Sequence, residues 1–396
     1  MITRIFLVLG CFVAVDFAYA QQGQWSGNVS IEARLFPEDA LYPEQEDQGL
    51  SLSFEPEYYW DWRDGDQRIV FKPFFRYDIN DDERSHSDIR ELYWRGTFGD
   101  TDLKVGVAKV FWGVTESQHL VDIVNQTDLV ENIDTEDKLG QPMVNLNIVK
   151  NWGTLELYVL PYFRERTFAG EEGRLRTEIP VDTDHEIYES GAEESHVDYA
   201  IRWSHYIGNW DIGISHFSGT AREPNLVPSL RNSQVVLTPY YQQIDQTGLD
   251  LQATIGSWLW KLEAVSRRDD VGRYTAAVGG FEYTIVGIFD SASDLGLLVE
   301  YHFDDRDEGS TSPFENDIFA GIRWVTNDVQ STELLAGVIV DSDTQATFGN
   351  IEASRRIGQS WKISLELRVF ANQDRKDLLY GLRDDDYLEV RLSKYF

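Results

Sequence analysis

Cysteine and methionine are nearly absent: the 396 residues include one Cys, at position 11, and two Met. Beyond the amino terminus there is also no apolar run near the ~20 residues that a membrane-crossing helix needs, which excludes a helical membrane protein. Basic residues number 35 against 68 acidic ones, and a net charge of −33 leaves no electrostatic footprint for a nucleic acid. No linker, low-complexity tract or composition break divides the chain. Motifs for chemistry are missing as well: there is no Gly-x-Ser-x-Gly, His-Glu-x-x-His or P-loop, and the seven histidines are scattered without catalytic spacing. Asp304-Asp305-Arg306-Asp307-Glu308 lacks the alternating ligands of a calcium loop. These gaps argue against an enzyme and call for no cofactor.

The amino terminus has the form of an export signal. Arg4 precedes an apolar run from Ile5 to Val15, and Ala18-Tyr19-Ala20 has the small-x-small form of a signal-peptidase site. The expectation is a signal peptide over 1–20 and a mature chain over 21–396. A lipoprotein box at Val8 to Cys11 would leave too short an apolar core. Loss of the signal removes Cys11, so the exported form has no disulfide, thiolate or cysteine metal site.

Period-two alternation runs through the rest. In Trp361 to Phe370, Trp361, Ile363, Leu365, Leu367 and Val369 share one face, and Lys362, Ser364, Glu366 and Arg368 share the other. Strands are predicted at 25–35, 50–62, 67–79, 88–98, 102–112, 142–150, 154–164, 196–206, 210–218, 244–255, 259–267, 274–286, 294–303, 316–326, 331–340, 345–356, 360–370 and 387–396. The connections alternate between long segments and short turns such as Gly99-Asp100 and Gly256-Ser257. Trp62, Trp152, Trp210, Trp258 and Trp361 lie at or beside the short turns. Alternation by itself fits a soluble sandwich equally well. The even strand number, the loop rhythm and the tryptophan girdle instead predict an all-β fold, a transmembrane antiparallel up-and-down barrel of about 18 strands. Short turns would face the periplasm and long loops the outside.

Most of the excess negative charge falls in the long loops, which suits solvation and divalent cations shared with lipopolysaccharide. The polar phase of the strands places Lys72, Arg76, Arg95, Arg164, Arg202, Lys261, Arg267, Arg323, Arg356, Arg368 and Arg391 inward, with acidic partners on the same face. The third long loop, 113–141, carries Glu116, Asp122, Asp128, Glu131, Asp134, Glu136 and Asp137 against Lys138 alone. Thr115 and Gln118 have the spacing of a capping box and precede Leu120, Ile123 and Val124, so a short helix is predicted there.

The terminal strand Tyr387 to Phe396, alternating and closing on an aromatic, is similar to the carboxy-terminal signature of outer-membrane proteins. Together with Phe111-Trp112-Gly113 and Asn125-Gln126-Thr127-Asp128, the pattern resembles the bacterial porin superfamily. That resemblance implies a passive water-filled channel for small hydrophilic or charged solutes in the Gram-negative outer membrane. Its implied partners are lipid, lipopolysaccharide and a barrel-assembly machinery that reads Phe396; both monomers and homotrimers occur. It also implies that the loop after the fifth strand, here 113–141, folds inward and narrows the pore. Glu116, Asp122, Asp128, Glu131 and Asp134 would then oppose Arg76, Arg95, Arg368 and Arg391 in a transverse field. The alternatives are an export conduit for a polyanion or polysaccharide and an adhesin or receptor built on acidic loops such as 165–195. An apolar lumen is not anticipated.

Overall fold

The computed structural model describes residues 23–306 and 311–396; the expected signal segment 1–20 lies outside the described residues. In chain order the strands are β1 (Gln24–Leu35), β2 (Gln48–Trp62), β3 (Gln67–Asp78), β4 (Ser87–Phe98), β5 (Thr101–Ala108), β6 (Gln141–Lys150), β7 (Gly153–Leu160) and β8 (Ile187–Tyr188). They continue as β9 (Asp198–Ile207), β10 (Trp210–Thr220), β11 (Asn225–Arg231), β12 (Gln234–Tyr241), β13 (Gln243–Ile255), β14 (Trp258–Arg268) and β15 (Arg273–Ile285). The last six are β16 (Asp294–Asp304), β17 (Asp317–Val325), β18 (Glu333–Asp341), β19 (Thr347–Ile357), β20 (Trp361–Ala371) and β21 (Tyr387–Tyr395).

Eighteen of these form one antiparallel sheet that closes on itself. β1 pairs with β2 on one side and with β21 on the other, Asn28 opposite Tyr395 and Leu35 opposite Leu388. Closure removes both sheet edges, so no row of barrel backbone groups is left unpaired. The expected count is therefore met. The fifth and seventh barrel strands are shorter than predicted, ending at Ala108 and Leu160, because the chain beyond each leaves the wall. The predicted loop 219–243 contains β11 and β12, a hairpin, to which β8 adds in parallel. This three-stranded sheet lies outside the barrel wall.

The turns follow from backbone preference. Gly256 and Gly358 open tight turns in the left-handed region, at φ of 63° and 65°, where a Cβ would be strained. Polarity follows the alternation. On β20, Leu365 is 42% exposed on the outer face, while Arg368 on the inner face is 2% exposed. The same inversion holds at Ile318, Ile322 and Leu392, all exposed, against buried Glu300, Asp317 and Glu389. Near the short turns, tryptophans pair on the outer surface: Trp60 with Trp62 at 4.9 Å between ring centroids, and Trp258 with Trp260 at 5.5 Å.

Candidate functional site

After β5 the chain turns into the barrel and remains inside from 109 to 140. Its apolar residues fix it to one half of the wall. Trp112, Val121, Ile123 and Val124 are buried against inward residues of six or more strands, among them Met143, Tyr158, Phe217, Ile244 and Val265. Each such side chain removed from water contributes about 1.5–3 kcal/mol.

Two carboxylates on the wall hold the segment's backbone. Glu263 of β14 accepts from the Val114 N–H at 2.7 Å, the Thr115 N–H at 3.1 Å, the Thr115 hydroxyl at 2.7 Å and the Val121 N–H at 3.1 Å. Glu300 of β16 accepts from the N–H groups of Glu116 and Ser117 at 2.8 and 2.9 Å. These are donors that a helix would leave free in its first turn or bond internally. The predicted helix is accordingly absent: 115–124 is irregular, and the Thr115 hydroxyl, its one proton shared between Glu263 and the Gln118 carbonyl 2.6 Å away, does not cap a helix. The Ser117 hydroxyl donates to Glu300 at 2.5 Å and lies 2.7 Å from His302 Nε2. A serine and a histidine 185 positions apart thus meet, but as part of this anchor, with the carboxylate on the serine and not on the imidazole.

The opposite half of the wall takes the segment's charges. Arg76 Nη2 lies 2.5 Å from Glu131 Oε2, and Arg368 Nη2 lies 2.9 Å from Asp134. Asn132 donates to Glu366 at 3.0 Å. Glu116, at the other end, meets Arg323 at 2.5 Å and Lys261 at 3.4 Å. The other sequence-derived site residues lie elsewhere. Asp128 pairs with Arg90 at 2.7 Å and with His86 at 3.5 Å. Asp122 pairs with Lys138 of its own segment at 3.1 Å. Arg391 bonds Glu32 and Glu389 on the wall, at 2.8 and 3.1 Å. Arg95 faces Arg68 and Lys104 across its neighbouring strands, and no ion pair is recorded for it among the described residues. Phe396 sits on the outside against Phe54, 6.2 Å between centroids. The charges that do meet are in direct contact and neutralise one another, instead of facing across an open gap.

Sequence phase missed Arg34, Arg84 and Arg90. Glu32 is the centre of this cluster, with Arg84 at 2.5 Å, Arg391 at 2.8 Å and Arg76 at 3.2 Å. Arg34 and Glu32 are in phase on β1 and could have been found. Arg90 could not, because the β3–β4 register jumps there: Lys72 opposes Glu91 and Pro73 opposes Ile89, leaving Arg90 as the extra residue. Pro73 offers no N–H to the ladder, and the bulge turns Arg90 inward.

Burial tunes the carboxylates of the inner segment. Asp134 is pushed up to about 7 by burial, with Arg368 opposing and Asp137 and Glu366 adding. Asp137 is pushed up to about 6 by burial and by Glu131. For Asp128, burial alone would raise the pKa, but the His86 hydrogen bond and the Arg90 charge hold it far below the usual range. His119 rises to about 10: burial opposes the charge, but Glu136 and Glu263 outweigh it. Two groups of donor atoms are close enough to share a cation, His86/Asp128/Glu131 and Asp134/Glu352/Glu366. Guanidinium groups already engage both, Arg90 and Arg76 in the first and Arg368 in the second.

No family model matches the chain, and no curated protein matches it. Among solved structures, the porin of Rh. blastica in a form with introduced tryptophans aligns over 95% of this chain and all of its own, at 10% identity and a TM-score of 0.46. A triple mutant of the same Rhodopseudomonas blastica porin aligns over the same shares at 10% identity and a TM-score of 0.45.

Proposed function

We propose that this chain is an outer-membrane channel that passively admits small hydrophilic or charged solutes, with the segment 109–140 as its constriction. The observation that carries the reading is the inverted polarity of a closed barrel: exposed Ile318, Ile322, Leu365 and Leu392 outside, buried charges such as Glu32, Arg76, Glu300 and Arg368 inside. In water such an apolar belt would drive association; in a bilayer it is the required surface. The paired tryptophans near the short turns suit an interfacial girdle. A segment pinned to both halves of the wall by Glu263, Glu300, Arg76 and Arg368 is built to keep its shape in flowing water. No specific contact favours a conduit for long polymers or an adhesin.

The test is planar-bilayer conductance of the refolded protein with reversal potentials in asymmetric salt, alongside liposome swelling with sugars and amino acids. Stepwise conductance and swelling that falls with solute size are expected. Insertion without either would overturn the reading.

A further inference from the structure

Beside the inner segment lies a cavity of about 520 Å³ whose lining is divided in two. At one end the lining holds four arginines: Arg166, Arg267 and Arg306, whose charges act on Glu223, and Arg222 next to Glu223 in the chain. The opposite wall is apolar: Phe319, Leu335, Ile339 and Phe348 on the inner faces of β17 to β19, with Phe314 packed on them. This patch is separate from the apolar inward residues that seat the inner segment.

Three of the four arginines are satisfied. Arg222 bonds Asp198 at 2.8 Å and the Val124 carbonyl at 3.1 Å. Arg267 bonds Gln246 at 2.7 Å and Glu223 at 3.2 Å. Arg306 grips Asp304 at 2.6 Å and lies over Tyr274, its Cζ 3.8 Å from the ring centroid. Arg166 differs. Its Nε donates to Gln126 at 3.3 Å, and among the described residues its two terminal nitrogens have no recorded acceptor and it forms no ion pair. Burial and the neighbouring Arg267 lower its pKa, with Glu223 opposing. The other carboxylates that line the cavity have cationic partners: Asp134 and Glu352 on Arg368, Glu136 on His119, Glu116 on Arg323 and Asp122 on Lys138. The cavity therefore offers one open cationic fork and one apolar wall.

We propose that this cavity is a binding site for a small organic oxyanion with an apolar body, its head taken by Arg166 and its body laid on Phe319, Leu335 and Phe348. A planar fork matches a two-oxygen head, and the apolar wall adds the area that a bare inorganic anion lacks. The inference deepens the channel reading by naming a solute class, yet the site itself needs no conduction.

Benzenesulfonate is the probe, since it stays ionised at any working pH, and titration calorimetry on the detergent-solubilised, folded protein is the readout. Saturable binding is expected, weaker by at least about tenfold for methanesulfonate and for benzyl alcohol, which each lack one half of the recognised chemistry. Arg166→Gln and Leu335→Asn should each lower affinity by a similar factor while keeping the heat-dependent electrophoretic shift of a folded barrel. No saturable binding, equal binding of methanesulfonate, or a loss confined to one variant overturns the proposal. Conductance of the same preparation separates the two readings. Conduction without binding removes the site and leaves the channel; binding without conduction does the reverse.

Discussion

Arg76 and Glu131, 55 positions apart, form an ion pair of 2.5 Å with less than 6% of either side chain exposed. Arg76 also holds Glu32 at 3.2 Å and donates to Ser51 at 2.6 Å, so it joins the wall and the inner segment in one network. Removing one partner of a buried pair leaves the other charge stranded. Arg76→Ala should therefore destabilise the barrel by about 3–5 kcal/mol and increase open-channel current noise. Arg95→Ala, which breaks no recorded ion pair, should change neither. Urea unfolding in lipid vesicles and single-channel traces check both; equal effects of the two variants would sink the assignment.

Glu263 receives three backbone N–H groups from residues 114–121. In Glu263→Ala each loses its acceptor, at about 1–3 kcal/mol for every donor left dry. Hydrogen exchange at Val114, Thr115 and Val121 should quicken while exchange in β14 stays slow. Protection retained at all three amides would argue against the anchor.

Two raised carboxylates set a pH response. Above pH 8 Asp134 and Asp137 both carry charge; as pH falls through about 7 and then about 6 each takes a proton. The lumen thus becomes more positive on acidification, and reversal potentials should move towards anion preference between pH 8 and 5. Because the folded pKa values lie above the ordinary ones, these two groups favour the folded segment increasingly as pH falls through the same window. Asp134→Asn should remove the upper step. A selectivity that stays flat across this range would contradict the placement.

The outer face gives a test of membrane residence. Leu365 lies mid-strand on β20 with 42% of its surface open. Leu365→Arg at a water-facing site would be nearly neutral, but facing lipid at mid-depth it should cost about 2–4 kcal/mol. Folding equilibria in vesicles decide between them, with Ser364→Arg on the inner face as the comparison.

The alternating pattern, taken with the rhythm of long and short connections and the tryptophans beside the short turns, determined the architecture. A strand has only two faces, so the phase of Trp361 to Phe370 reads directly as outside and inside, and turn spacing gives the strand number and the order around the ring. That reading broke where backbone geometry depends on a neighbour. The bulge at Arg90 follows from the pairing with Pro73, and no local pattern marks it. The helix predicted after Thr115 failed for a related reason: its signals are local, and two carboxylates from β14 and β16 capture the same N–H groups. Which acid meets which arginine, and that Arg166 is left over, was decided by tertiary structure alone. Long-range ion pairs depend on where a closed wall carries each strand, and a residue's sequence position says nothing of the charge it will find across the lumen.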